Sequence, residues 1–131
     1  MTLIDAVYIN DGGGKVILDL VIDYVLKNKN NKDLFLLIDE RYTNNNLTKL
    51  KHLKLKASEI SRIKFYLKNN FEKYFCLSNV PPPLKTSKDT YIYFHNALYF
   101  SDQGVNNSLQ NKFLLRLKGF YIKFLNKNSY N

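Results

Sequence analysis

Five short apolar runs, separated by helical periods or polar loops, constrain this chain more than any other feature. They are "AVYI" (6–9), "LFLLI" (34–38), "HLKLK" (52–56), "KYFCLS" (73–78) and "TYIYF" (90–94). Each has the length of a strand, and an unbroken apolar run suits a strand covered on both faces. The third run alternates, so it reads as half-exposed. Between the first two, Val16, Ile17, Leu20, Val21, Tyr24 and Val25 recur at helical spacing and predict a helix over 14–27. Ser58, followed by Ser61 and Arg62, opens a second helix that carries Ile60, Ile63, Phe65 and Leu67. A third is expected over 108–127. Leu109, Phe113, Leu114, Leu117, Tyr121, Phe124 and Leu125 lie along one side of it, and Gly119 sits within it. "NVPPP" (79–83) ends the fourth strand, because proline offers no ladder donor.

This alternation predicts an α/β fold. The expected architecture is a Rossmann-like three-layer α/β/α sandwich with a mainly parallel sheet of about five strands. Its crossovers are expected to be right-handed. Ligands in such folds bind at the carboxyl ends of the strands, near the point where strand order reverses.

At 131 residues and 45% hydrophobic content, the chain fits one domain with a sizeable core. The formal charge of +9 favours anionic partners: phosphates, nucleic acid or an acidic membrane surface. A solvated lysine surface accounts for the same number. The single cysteine, Cys76, rules out a disulfide framework. Cys76, His52 and His95 do not make a metal-binding pattern, so neither metal nor cofactor is expected. "AVYI" follows Asp5 rather than a basic segment, so it does not read as a secretory signal. No run is long enough to span a membrane. The expected setting is a reducing cytoplasm.

Three of the five glycines, Gly12, Gly13 and Gly14, stand together between the first strand and the first helix. Two readings are open. Glycines there let a backbone approach a phosphate or sugar at a helix N-terminus, with Lys15 beside it. They also make a tight turn. The run is neither a dinucleotide fingerprint nor a P-loop, which disfavours a nicotinamide enzyme. Asp39-Glu40-Arg41 closes the second strand and reads more readily as an ion pair than as a ribose contact. His95 and Asn96 follow the fifth strand on the expected ligand edge, where a histidine can act as acid, base or donor; a structural histidine bonding a nearby loop is the other reading. His52 reads as surface. The aromatics of "SRIKFYLK" and of the last helix follow apolar faces, so they read as core rather than as a nucleic-acid platform. The basic side chains of the last helix also suit an anionic lipid surface.

"VYINDGGGKVILDLVI", "LLIDERY", "LSNVPPP" and "YIYFHNALYF", in this order, resemble the N-terminal half of bacterial GT-B type glycosyltransferases close to family 4. The likeness spans most of the chain. It implies residues 1–131 as a single acceptor-side Rossmann-like domain, with the C-terminal donor domain absent. The implied activity is transfer of a hexose from a nucleotide-sugar donor to a surface polysaccharide or lipopolysaccharide acceptor, saccharide or lipid-linked. The chain alone would be an incomplete, inactive part of such an enzyme. The resemblance puts Gly12, Gly13, Gly14 and Lys15 near the donor phosphates and the acceptor. It puts His95 at the transferred sugar as the catalytic group, with Asn96 beside it. Arg41 and the 81–83 loop would line the acceptor side. It implies no bound metal, no nucleic acid, and a cytoplasmic protein touching the inner face of the membrane. The alternative is a non-enzymatic, flavodoxin-like binding module for nucleic acid or another anionic partner.

Overall fold

The computed structural model describes residues 1–28, 33–86 and 88–93. Five strands and two α-helices follow one another: β1 (Thr2–Ala6), α1 (Gly12–Lys27), β2 (Leu34–Asp39), β3 (His52–Leu55), α2 (Glu59–Lys68), β4 (Lys73–Cys76) and β5 (Asp89–Ile92). A short 3-10 turn, Leu47–Lys49, lies between β2 and β3. All strand pairs are parallel, in the order β3-β2-β1-β4-β5. This is the expected Rossmann-like α/β fold. The chain grows outward from β1 to β3 on one side, then restarts at β4 on the other. The reversal therefore lies between β1 and β4.

Two cores flank the sheet. On one face, Leu18, Ile22 and Val25 of α1 pack on Ile4, Ala6, Leu36 and Ile38. On the other, Phe65 and Tyr66 of α2 pack with Leu3, Leu37, Phe71 and Tyr74. Adjacent strand residues thus serve opposite cores, as the pleat requires. The second core is aromatic: the Phe65 ring lies 6.0 Å from those of both Phe35 and Phe71. Fully burying a side chain of this kind contributes roughly 1.5–3 kcal/mol. Ser58 caps α2, its side chain accepting from the Ser61 N–H, and Glu59 favours the positive end of the helix dipole.

The first strand lies earlier than "AVYI" suggests. It covers Thr2–Ala6, while the Ile9 N–H turns back to the Ala6 carbonyl. Polar Thr2 and Asp5 hide it from a hydrophobicity pattern; Asp5 is fully buried because an arginine neutralises it. Helix α1 begins two residues early and takes in Gly12 and Gly13. The strands β3, β4 and β5 are shorter than their apolar runs. Edge strand β3 is part-exposed as expected, but its burial does not alternate: apolar Leu53 is exposed with Lys54, and His52, read as surface, is half-buried, its Nδ1 3.0 Å from the Leu50 carbonyl. β4 and β5 are joined without a helix among the described residues. The helix expected over 108–127 lies outside the described residues.

Candidate functional site

The carboxyl ends of β1 and β4 meet where strand order reverses. Leu77 holds them together, its N–H donating to the Asp5 carbonyl at 2.9 Å. After β1 the chain turns through Tyr8, Asn10 and Asp11 into the glycines. Gly12 has φ +58, in the left-handed region that a side chain enters only at a cost. Gly13 does not, and a Cβ on either Gly12 or Gly13 would meet nothing within 4 Å. Gly12 therefore makes the turn, and open space lies in front of both residues. Gly14 is buried within the helix. The first intrahelical bond runs from the Lys15 N–H to the Asp11 carbonyl, so the preceding N–H groups lack helical partners. The Asp11 side chain makes no capping bond. Helix α1 thus presents an uncapped positive end beside the reversal point.

The loop after β4 leaves the neighbouring parallel strand at the same end of the sheet. Asn79 adopts φ 59 and is buried, a conformation asparagine tolerates better than most residues. Next to it, the buried Ser78 hydroxyl has no hydrogen-bond partner among the described residues. Buried hydroxyls are normally satisfied, so this one needs an explanation.

Below the two loops lies an ionic cluster that no local motif announces. Arg62, fully buried on α2, donates from Nε and Nη2 to Asp5 Oδ2 at 3.1 and 2.8 Å. Its Nη1 donates to Glu59 at 2.9 Å, and its Nη2 also reaches the Pro81 carbonyl at 3.0 Å. The guanidinium is flanked by the rings of Tyr8 and Tyr66, 5.4 and 5.9 Å from their centroids. Tyr66 donates to Asp5 Oδ2 at 2.8 Å, and Tyr8 donates to Glu59. Burial first, and then the acidic partners, push both phenols far above their ordinary value, so they stay protonated donors. Burial, and then Asp5, also pushes the Cys76 thiol up, which makes it an inert core residue.

The two candidate cations named from sequence are likewise engaged within the chain. Lys15 pairs with Asp19 at 2.6 Å, one turn along α1. Asp19 also accepts from Tyr42 and Asn44, tying α1 to the loop after β2. Burial opposes its charge, but bonds from Lys15, Tyr42 and Asn44 outweigh that and hold the carboxyl below its ordinary value. Arg41 grips Asp39 through Nε at 2.9 Å and Nη2 at 2.6 Å. Those bonds, against some opposing burial, hold Asp39 low as well. The ion pair expected at the end of β2 is present. Gly12 and Gly13 thus follow β1, and Ser78 and Asn79 follow β4, the two strands that flank the reversal point, while Lys15 and Arg41 spend their charges on their own carboxylates. His95 and Asn96 lie outside the described residues.

Ser78 and Arg62 were the residues sequence reasoning missed as site elements. Arginine is scarce in this lysine-rich chain, and both Arg41 and Arg62 neutralise a buried aspartate at the end of a strand. That scarcity was the available signal. Among the described residues, no group of His, Cys, Asp or Glu is arranged to hold a metal ion, and no helix is long and apolar enough to cross a membrane. Comparison with family models, curated proteins and solved structures found no match to this chain.

Proposed function

We propose that this chain is the acceptor-side domain of a GT-B type sugar transferase acting on a lipid-linked or saccharide acceptor. One observation carries the reading: the glycine turn leads into an uncapped α1 N-terminus at the point where strand order reverses. Such an end stabilises a sugar phosphate or diphosphate through backbone N–H groups. Because Lys15, Arg41 and Arg62 are paired, the anion is held by these N–H groups rather than by a side-chain cation. The Ser78 hydroxyl, buried and without a partner among the described residues, would supply a further hydrogen bond from the loop after β4.

In this reading the domain orients the acceptor, and stabilisation of the departing diphosphate drives transfer. His95 would act at the transferred sugar, with Asn96 beside it. A second domain would supply most of the nucleotide-sugar site. The test is a titration of isotope-labelled protein with a short-chain polyprenyl diphosphate sugar, followed through backbone amides. Saturable shifts at Gly13, Gly14 and Ser78 are expected. Their absence at millimolar ligand removes the proposal. Equal shifts with any oligonucleotide, erased by salt, would turn the reading toward a polyanion-binding module.

A further inference from the structure

A hollow of about 340 Å³ lies at the amino ends of β4 and β5, the opposite end of the sheet from the glycine turn. Tyr66 and Tyr74, stacked with ring centroids 5.6 Å apart, are buried where they border it. Leu84 packs on the same aromatic core and so anchors the segment that carries Lys85 and Thr86. The end of α2 contributes Lys68 and Asn70, and Lys88 stands directly before β5.

Three lysines border this hollow, and no aspartate or glutamate lines it. Elsewhere the chain spends its cations: Lys15, Arg41 and Arg62 each hold a carboxylate. Lys68, Lys85 and Lys88 form no ion pair among the described residues. Glu72 feels the charge of Lys88, but its own partner is the amino terminus of the chain at 2.5 Å, which holds its carboxyl low. Lys68 also suits the negative end of the α2 dipole; Lys85 and Lys88 have no helix end to serve. Like charges on one concavity repel one another and raise the local potential, and a bound anion relieves that repulsion. Neutral donors stand beside them. The Thr86 hydroxyl oxygen accepts the Lys88 N–H at 3.1 Å, which leaves its own proton for a ligand. The Asn70 side-chain nitrogen has no acceptor among the described residues.

We infer that this hollow binds a phosphate or diphosphate group. A carboxylate has too little charge and too few oxygens to answer three ammonium groups and two neutral donors. A phosphate has more of both. The volume suits such a group with a small body attached. The buried rings offer no face on which bases could stack, so the ligand is a small molecule or a lipid headgroup rather than a nucleic acid. The glycine turn lies at the far end of the sheet, so the inference is independent of the proposed activity.

The test is a titration of the isotope-labelled full chain with pyrophosphate, the ionic strength held at about 0.15 M by sodium chloride. Saturable shifts at the amides of Asn70, Thr86 and Lys88 are expected, with half-saturation at or below about 1 mM. Lys85→Gln combined with Lys88→Gln changes two exposed residues and is expected to weaken binding about tenfold. Lys51→Gln combined with Lys56→Gln removes the same charge from exposed positions flanking β3, at the other edge of the sheet, and is expected to leave binding unchanged. Equal weakening by the two double variants would reduce the binding to net charge and overturn the inference. So would a failure to saturate by about 10 mM. Shifts confined to Gly13, Gly14 and Ser78 would overturn it too, while favouring the site at the glycine turn. A second arm uses a water-soluble, short-chain phosphatidic acid. Tighter binding than pyrophosphate at the same amides assigns the hollow to a lipid headgroup, and weaker binding assigns it to a soluble phosphate; both sustain the inference.

Discussion

Asp5 and Arg62 stand 57 residues apart in sequence and meet at 2.8 Å, both with no solvent exposure. One belongs to the central strand, the other to the helix behind it. Their pairing lets a charged residue sit inside β1, and it locks α2 against the reversal point. Removing one partner leaves the other charge buried and unpaired. Arg62→Ala is therefore expected to cost about 3–5 kcal/mol, read as a lower urea midpoint. A cost under about 1 kcal/mol, the range of exposed pairs, would mean that the cluster is solvated in solution.

The glycines are expected to differ. Gly12→Ala forces a side chain to φ +58 and is expected to cost about 1–2 kcal/mol. Gly13→Ala enters open space in a helical conformation and is expected to stabilise the fold by about 0.4–1 kcal/mol. Thermal unfolding of the pair checks the contrast. Equal destabilisation would contradict the assignment of the turn to Gly12.

Ser78→Ala separates folding from binding. The hydroxyl has no partner among the described residues, so its loss is expected to leave stability unchanged or slightly raised. The same change is expected to weaken binding of the diphosphate sugar about fivefold to tenfold, the effect of one hydrogen bond. Loss of stability with unaltered binding would show that the hydroxyl serves the fold.

Acid weakens the fold through Asp19 and Asp39. Both carboxyls titrate below their ordinary value of 3.8 in the folded chain. The stabilisation is thus complete above that value and is lost as pH falls through the lower folded one. Urea midpoints are expected to hold steady from pH 7 to about pH 5 and to drop below about pH 4. Asp19→Asn should flatten part of that drop, and an unaltered slope would refute the contribution of Asp19.

Cys76 is expected to resist alkylation in the native chain and to react only as β4 opens. Its modification rate in urea should track unfolding measured by circular dichroism. Fast reaction in buffer would contradict its burial beside Asp5, Arg62 and Tyr66.

Much of the fold was legible because strands covered on both faces must be apolar, and "LFLLI" and "KYFCLS" are. β1 was legible only at its end, since Thr2 and Asp5 break the apolar signal. The glycine turn stood out by composition alone, but its division of labour did not: which glycine needs a positive φ is a property of the turn. The Asp5–Arg62 cluster could not be read locally. An arginine on a helix resembles a solvated one until a distant aspartate is brought against it. The Asp39–Arg41 pair was legible from its spacing, whereas the Lys15–Asp19 pair was not picked out from the sequence, although its i,i+4 spacing on a helix is ordinary.

The planar guanidinium of Arg62 bridges two loops, lying 5.4 Å from the centroid of the Tyr8 ring after β1 and holding the Pro81 carbonyl after β4. It works as a spacer of fixed width. The two loops cannot part without breaking its hydrogen bond to the Pro81 carbonyl or its contact with the Tyr8 ring, so their separation is set by one rigid group.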